Sequence, residues 1–155
     1  MEKLGTSILI TSLNDQAGSA LAQKLSQLLG LHFASCKDIV EYDLFDSDAI
    51  LTKCGVQYFE QREKSALSDI SSYENSVIYI DYDLIKNNLA IFDQIHPRIF
   101  LNFPKRKLSK DAVLNIIAFE ERNAYLREIC DLTVDVNGDN KSSLSKLVKD
   151  IREKL

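Results

Sequence analysis

The sequence contains few of the residues that interrupt a fold or build a metal site. Its 155 residues include five glycines and two prolines, and no stretch rich in proline, glycine and serine marks a linker. The three cysteines are scattered without a C-x-x-C pair, and there are two histidines, so we expect reduced thiols and no zinc site. The chain therefore suits one domain with a full core, residues 1–155.

Long apolar runs and an excess of positive charge are also missing. No run approaches the ~18 apolar residues that a membrane span needs, and no signal peptide is visible. The net charge of −4 argues against a general binder of nucleic acid or of anionic membranes. We expect a cytoplasmic protein with no nucleic-acid partner and no membrane partner.

Short apolar runs alternate with helical patterns along the chain. Extended segments are predicted at residues 8–10, 31–33, 76–80, 98–101 and 131–136. The run SVIYI at 76–80 is apolar at consecutive positions, which is typical of a strand buried on both faces of a parallel sheet. This alternation predicts an α/β sandwich around a parallel sheet.

Helical spacing and capping residues predict the helices between these strands. The predicted helices cover residues 19–29, 37–43, 56–70, 82–92 and 111–129, with a short one capped by Ser47 and a last one capped by Ser142 or Ser143. In the first helix the leucines at 21, 25, 28 and 29 form one stripe, and Gly30 is a natural residue to end it.

A polar loop, residues 11–18, joins the first strand to the first helix. The N–H groups at a helix N-terminus bind phosphate, and nucleotide kinases use the loop sequence G-x-x-x-x-G-K-[ST] there. The same frame reads Ser12, four residues, Ala17, Gly18 and Ser19, so Gly18 stands where the lysine should be. Without glycines at Ser12 and Ala17, we predict that the loop forms no anion nest.

Three hydroxyl or carboxyl groups are candidate ligands for a magnesium ion. Ser19 falls where a hydroxyl holds Mg²⁺ in such loops, although a serine there can equally cap the helix. Asp81 follows the run SVIYI as a Walker B aspartate does, and Asp83 would add a second oxygen ligand. The alternative for these aspartates is a helix cap, a role that Asp83 before Leu84 suits.

Three segments of the sequence resemble the shikimate kinases, which are P-loop small-molecule kinases. LGLHF resembles the family's L-G-L-P-F, and CGVQYFEQRE resembles its G-E-x-x-F-R-x-x-E. FEERNAYLREICDLTVDVNG resembles E-R-x-P-L-Y-x-E-x-A-D-x-x-V-D-T-x-G, and the order of elements matches from end to end. The resemblance implies a three-layer, P-loop kinase-like sandwich with a five-stranded parallel sheet.

Most positions that the resemblance would make functional carry other residues. Gly18 replaces the phosphate-binding lysine, Lys37 replaces an aspartate of the family's F-I-D-T-D, and Glu60 replaces a substrate-binding arginine. Arg122 matches the arginine that binds the substrate carboxylate, or it is a salt-bridge partner on a helix surface. The family's lid is shortened, and the basic loop at 105–110 either substitutes for it or is a solvated turn.

These losses predict a catalytically degraded shikimate-kinase-like protein that acts as a non-catalytic interaction or regulatory module with a protein partner. This interpretation predicts no enzyme activity and no cofactor. The alternatives are a diverged ATP- and Mg²⁺-dependent small-molecule kinase, or a nucleotide- or anion-binding protein without chemistry. The candidate positions are Gly18 and Ser19 for the cofactor, Arg122 for the substrate, and Asp81 and Asp83 for the metal.

Overall fold

Five parallel strands form the centre of the fold, in the spatial order β2–β3–β1–β4–β5. The structure is a computed structural model, and it describes residues 7–43, 52–53, 55–104 and 116–154. The strands are β1 (Ile8–Ser12), β2 (His32–Ser35), β3 (Ser76–Tyr79), β4 (Arg98–Asn102) and β5 (Leu132–Asp135). The predicted parallel sheet of five strands is confirmed.

The central strands are apolar because both of their faces are covered. All four residues of β3 are buried, as the continuous apolar run predicted. In β1, Leu9 pairs with Ile78 on one side and with Arg98 on the other, which places β1 in the middle of the sheet. Side chains alternate between the two faces, so each strand contributes to two separate cores.

Helices cover both faces of the sheet and give the three layers predicted from the sequence. They are α1 (Asp15–Leu29), α2 (Cys36–Asp43), α3 (Val56–Ser71), α4 (Tyr82–Asn88), α5 (Ile116–Ile129) and α6 (Lys141–Lys154). The core on one face joins strand residues such as Ile10 to Leu21 of α1 and Leu147 of α6. The core on the other face joins residues such as Ile78 to side chains of α2, α3, α4 and α5.

The first helix ends where the sequence predicted, but its leucine stripe is only half buried in the core. Gly30 adopts a left-handed conformation with φ of 71°, and its N–H donates to the carbonyl of Gln27. Leu21 and Leu25 are fully buried, whereas Leu28 is 59% exposed and therefore lies outside the core. The stripe continues beyond the sheet that it packs against, which periodicity alone does not reveal.

Two further helix boundaries differ from the predicted ones. The cap of α6 is Asn140, whose Oδ1 accepts a hydrogen bond of 2.8 Å from the Ser143 N–H, rather than Ser142 or Ser143. The helix predicted over 82–92 divides into α4 and a 3₁₀ turn, Leu89–Phe92. The short helix capped by Ser47, the basic loop at 105–110 and the predicted start of a helix at 111 lie outside the described residues.

The thiols described in the structure are free, as expected. Cys36 is buried, and burial raises its pKa far above the ordinary range of a thiol. Burial likewise raises the pKa of Cys130 to about 12. Among the described residues, no helix is both long and apolar enough to cross a membrane.

Candidate functional site

The carboxyl ends of β1, β2 and β3 meet at one edge of the sheet, where α/β proteins of this topology bind their ligands. Asp15 follows β1, Lys37 follows β2, and Asp81 follows β3. Burial raises the pKa of both carboxyl groups, and the positive charge of Lys37 is close enough to oppose that rise in each of them. The structure therefore brings these three groups, from separate parts of the sequence, to one site.

The junction between β1 and α1 is short and closed by a cap. Only Leu13 and Asn14 separate the strand from the helix. The Asn14 Oδ1 accepts a hydrogen bond of 3.2 Å from the Ala17 N–H, and the Asn14 carbonyl accepts one of 2.8 Å from the Gly18 N–H. Residues 15–18 therefore form the first turn of α1 rather than a phosphate loop. The predicted helix start at Ser19 was wrong, because Asn14 caps the helix through the Ala17 N–H and residues 15–18 are already helical.

Ser19 lies within α1, one turn after the cap. Its Oγ donates to the Gln16 carbonyl at 3.5 Å, a contact within the same helix. The cap role favoured for Ser19 was therefore wrong. A magnesium-binding role for Ser19 stays a prediction.

Tyr79 occupies the space beneath the first turn of α1, and the sequence analysis did not single it out. Its side chain is 3% exposed, and its hydroxyl donates to the Asp15 Oδ1 at 2.8 Å. The same hydroxyl lies 2.7 Å from the Oγ of Ser12, at the end of β1. The signal was available in the sequence, because a tyrosine inside a buried strand needs a hydrogen-bond partner for its hydroxyl.

Gly18 is packed directly against this tyrosine. A Cβ atom at Gly18 would lie 2.9 Å from both the Cε1 and the hydroxyl oxygen of Tyr79, and it would collide with the Ser12 Oγ. Real Cβ atoms do not approach other atoms this closely, so no side chain fits at position 18 while Tyr79 keeps its place. The glycine at the lysine position of the loop frame thus allows Ser12 and Tyr79 to pack closely against α1.

Asp81 carries a buried carboxyl oxygen that has no partner in the part of the chain that the structure describes. It lies at the N-cap position of α4, but its side chain makes no capping hydrogen bond. Its Oδ1 is buried and has no hydrogen-bond partner within the described residues. Burial, reinforced by the negative charge of Asp15, raises the pKa of Asp81 to about 6.

Asp83 lies in the first turn of α4 and is exposed. It is therefore not the cap that its position before Leu84 suggested, since the N-cap position belongs to Asp81. Among the described residues, no three side chains of histidine, cysteine, aspartate or glutamate are grouped as a metal site. Metal binding by Asp81 and Asp83 stays a prediction.

Arg122 extends from α5 to the ring of Tyr82, the first residue of α4. Its guanidinium carbon lies 4.9 Å from the ring centroid, and the Lys86 Nζ lies 5.7 Å from the same centroid. Tyr125 packs against Tyr82 edge to face, with a centroid separation of 6.1 Å. The contact found for Arg122 within the described residues is thus a cation–π contact, which places its charge beside the residues that follow β3.

The electrostatics of the β1–α1 turn disfavour a bound phosphate. The Asp15 carboxylate lies in the first turn of α1, where the helix dipole favours an anion. Although Asp15 is exposed overall, desolvation of its carboxyl raises its pKa, while the hydrogen bond from Tyr79 and the charge of Lys37 oppose that rise. The chain's own carboxylate therefore occupies the position at which a phosphate would gain most from the helix.

Solved structures of shikimate kinases are similar to this chain over nearly its whole length. The enzyme from Aquifex aeolicus has a TM-score of 0.70 and 20% identity, covering 95% of this chain and 96% of that one. The Acinetobacter baumannii shikimate kinase in complex with shikimate has a TM-score of 0.70 and 18% identity, with 97% and 94% covered. The Bacteroides thetaiotaomicron enzyme has a TM-score of 0.68 and 16% identity, with 96% and 97% covered.

This likeness defines the class of fold. The chain has the α/β fold of the P-loop kinases, in the form seen in shikimate kinases. No protein-family model matches the sequence, and no curated protein matches it. At 16–20% identity the structural similarity shows the fold alone.

Proposed function

We propose that this protein is a catalytically degraded relative of shikimate kinase that functions in the cytoplasm as a non-catalytic interaction or regulatory module. The observation that carries the proposal is the packing of Tyr79 against Gly18. Phosphoryl transfer depends on backbone N–H groups and a lysine that hold the phosphates. Here the backbone of residues 15–18 is helical, and a side chain at position 18 would displace Ser12 and Tyr79.

The charges at the same edge of the sheet support this proposal. Asp15 lies at the helix N-terminus, and Asp81 adds a second carboxyl group, whose pKa is raised by burial and by the negative charge of Asp15. A single well-placed contact to the reacting group is worth roughly 10²–10³ in rate. A site that replaces such contacts with carboxylates loses the stabilisation on which the reaction depends. The proposed role therefore needs neither ATP nor Mg²⁺.

The alternative, a diverged ATP-dependent small-molecule kinase, is favoured by one observation. The Oδ1 of Asp81 is buried just after a central strand and has no hydrogen-bond partner among the described residues, at the position where P-loop kinases hold Mg²⁺. Asp83 would then supply a second oxygen, and Arg122 would hold an anionic group of the substrate. Activity that depends on Asp81 would favour this alternative.

A coupled ADP-release assay with shikimate, ATP and Mg²⁺ at millimolar concentration separates the two. The Aquifex aeolicus shikimate kinase is the positive control. For this protein we expect no shikimate-dependent ADP release above the rate without enzyme. Turnover near ~1 s⁻¹, within the usual range of enzymes, would contradict the proposal. If that turnover were lost in Asp81→Asn, the diverged kinase would be the correct interpretation.

A further inference from the structure

A groove lies between Leu28, near the C-terminal end of α1, and the outer surface of α6. Its apolar floor consists of Leu28, Leu144 and Val148. The groove has a volume of about 580 Å³, which is within the range of ligand-binding sites. It is separate from the site at the carboxyl edge of the sheet.

Leu28 is the most exposed part of this floor. It is 59% exposed, while Leu144 and Val148 of α6 are half-buried beside it. Leu144 and Val148 are four residues apart and lie in one row along α6. The three side chains therefore form a short apolar strip that the fold leaves open to solvent.

Basic side chains line the edge of this strip. Lys141 and Lys149 lie eight residues apart in a neighbouring row of α6, and Arg152 extends the apolar row by one turn. All three are exposed, and Glu153 is the one carboxylate that lines the groove. The chain as a whole has a net charge of −4, so this edge is a positively charged patch on a protein that is negative overall.

We propose that the groove docks an acidic amphipathic helix of a partner protein. Apolar side chains on one face of that helix would cover Leu28, Leu144 and Val148, and flanking carboxylates would pair with the basic edge. The inference rests on the proposed function for the expectation of a protein partner, but its evidence comes from a different surface. Electrostatic attraction of this kind raises the association rate and excludes basic partners.

Two other occupants fit the groove less well. A second copy of the chain related by a two-fold axis would place Lys141, Lys149 and Arg152 against the same residues, which repel each other. An anionic membrane would bind a helix that can insert its apolar face. Leu147 of α6 is fully buried in the protein core, so its side chain is not available to insert into a membrane.

A designed peptide tests this docking site directly. The probe is a fluorescein-labelled 18-residue helix with leucines at positions i, i+3, i+4 and i+7 and glutamates on the flanks, titrated by anisotropy. We expect Lys149→Glu to weaken binding at least tenfold and Leu28→Ser to weaken it severalfold. The matched controls are Lys53→Glu and Val56→Ser, which change an exposed lysine and a 61% exposed apolar residue elsewhere, and they should stay within twofold.

Each other outcome contradicts the proposal. Equal binding of a peptide with lysines in place of the glutamates would show that charge does not select the partner. No binding, or equal loss in the control variants, would show that the groove is not the site. Sedimentation with vesicles of phosphatidylglycerol, or a dimer that Lys149→Glu changes in light scattering, would assign the groove to a membrane or to a second copy. None of these results bears on ATP binding, so this inference can fail while the proposed function stands.

Discussion

At the scale of single residues, Gly18 and Tyr79 decide what the carboxyl edge of the sheet can hold. In the sequence, Gly18 stands at the position where the loop frame of nucleotide kinases has a lysine. In the structure it is the residue that allows α1 to approach Tyr79, since any Cβ there would lie 2.9 Å from a ring carbon and from the hydroxyl oxygen of that side chain. Restoring the lysine alone would therefore create a clash before it could restore a charge.

The first residue-scale prediction concerns Gly18→Ala. Alanine favours a helix by ~1 kcal/mol over glycine, but overpacking a filled site costs about 1–3 kcal/mol. Because the new Cβ would approach three atoms more closely than 3.0 Å, we expect an overpacking cost of about 2–3 kcal/mol and a net loss of ~1–2 kcal/mol in the free energy of unfolding, measured by urea denaturation. The control is Gly138→Ala, whose new Cβ would meet only the Asn140 side chain at 3.7 Å and should change stability by less than ~0.5 kcal/mol. A Gly18→Ala variant as stable as the parent would show that the contact with Tyr79 is not tight.

The second residue-scale prediction concerns the pH dependence that Asp81 gives to stability. Burial raises its pKa from 3.8 to about 6, so between these values the folded state keeps a proton that the unfolded chain has released. This contribution to stability is present below pH ~4 and is lost as the pH rises to ~6. Asp81→Asn should therefore be more stable than the parent at pH 7, with a flatter pH profile from 4 to 7 in urea denaturation.

The matched control for Asp81 is Asp93→Asn. Asp93 is exposed and is not among the carboxylates, Asp15 and Asp83, that influence the pKa of Asp81. This variant should leave the shape of the pH profile unchanged. If Asp81→Asn instead lowered stability at pH 7, the charged form of Asp81 would have a favourable partner, and the account of an unpaired buried carboxyl would be wrong.

At the scale of elements, α1 begins four residues earlier than its sequence predicted, at Asp15 rather than Ser19. The difference is functional, because those four residues are the ones that a phosphate loop would leave non-helical. The cap at Asn14 holds the first turn closed by accepting the Ala17 N–H. Because the helix starts at Asp15, the N–H groups of Ala17 and Gly18 are already hydrogen-bonded to Asn14.

This assignment predicts different effects for two substitutions in α1. Asn14→Ala removes the cap and should destabilise the protein by about 1 kcal/mol, with a range of 0.5–2. Ser19→Ala should change the free energy of unfolding by less than ~0.5 kcal/mol, because the hydrogen bond that the structure shows for the Ser19 Oγ is a long one, 3.5 Å, to a carbonyl of its own helix. Thermal or urea denaturation of both variants measures this. The reverse order of effects would restore the boundary predicted from the sequence.

The sequence predicted the elements and their order better than it predicted the site. Runs such as SVIYI identify buried parallel strands, because burial on both faces selects apolar residues at every position. The end of α1 at Gly30 was predictable, since a left-handed terminal residue favours glycine. The packing of Tyr79 under Gly18 was not, because it joins residues 61 positions apart whose contact depends on strand register. The exposure of Leu28 was missed for the same reason, since periodicity does not show where the neighbouring layer ends.

At the scale of the whole molecule, the five-stranded parallel sheet and its two helical layers have the fold seen in shikimate kinases. The fold brings Asp15, Lys37 and Asp81 together, as it would bring together ligands for phosphate and metal. In this chain the same edge is occupied by hydrogen bonds between the protein's own side chains. The fold is thus compatible with a kinase, while the arrangement at Tyr79 supports a role without nucleotide.

Equilibrium binding of Mg²⁺-ATP tests this central claim most directly. A ligand at ~100 times its dissociation constant stabilises a protein by about 2.7 kcal/mol, which corresponds to a rise of roughly 5–11 °C in Tm for a domain of this size. With about 5 mM Mg²⁺-ATP we predict no rise in Tm in differential scanning calorimetry, beside the Aquifex aeolicus shikimate kinase as a positive control. A rise of several degrees that is abolished by Asp81→Asn would show that the edge of the sheet still binds nucleotide, and the account of a closed phosphate site would be wrong.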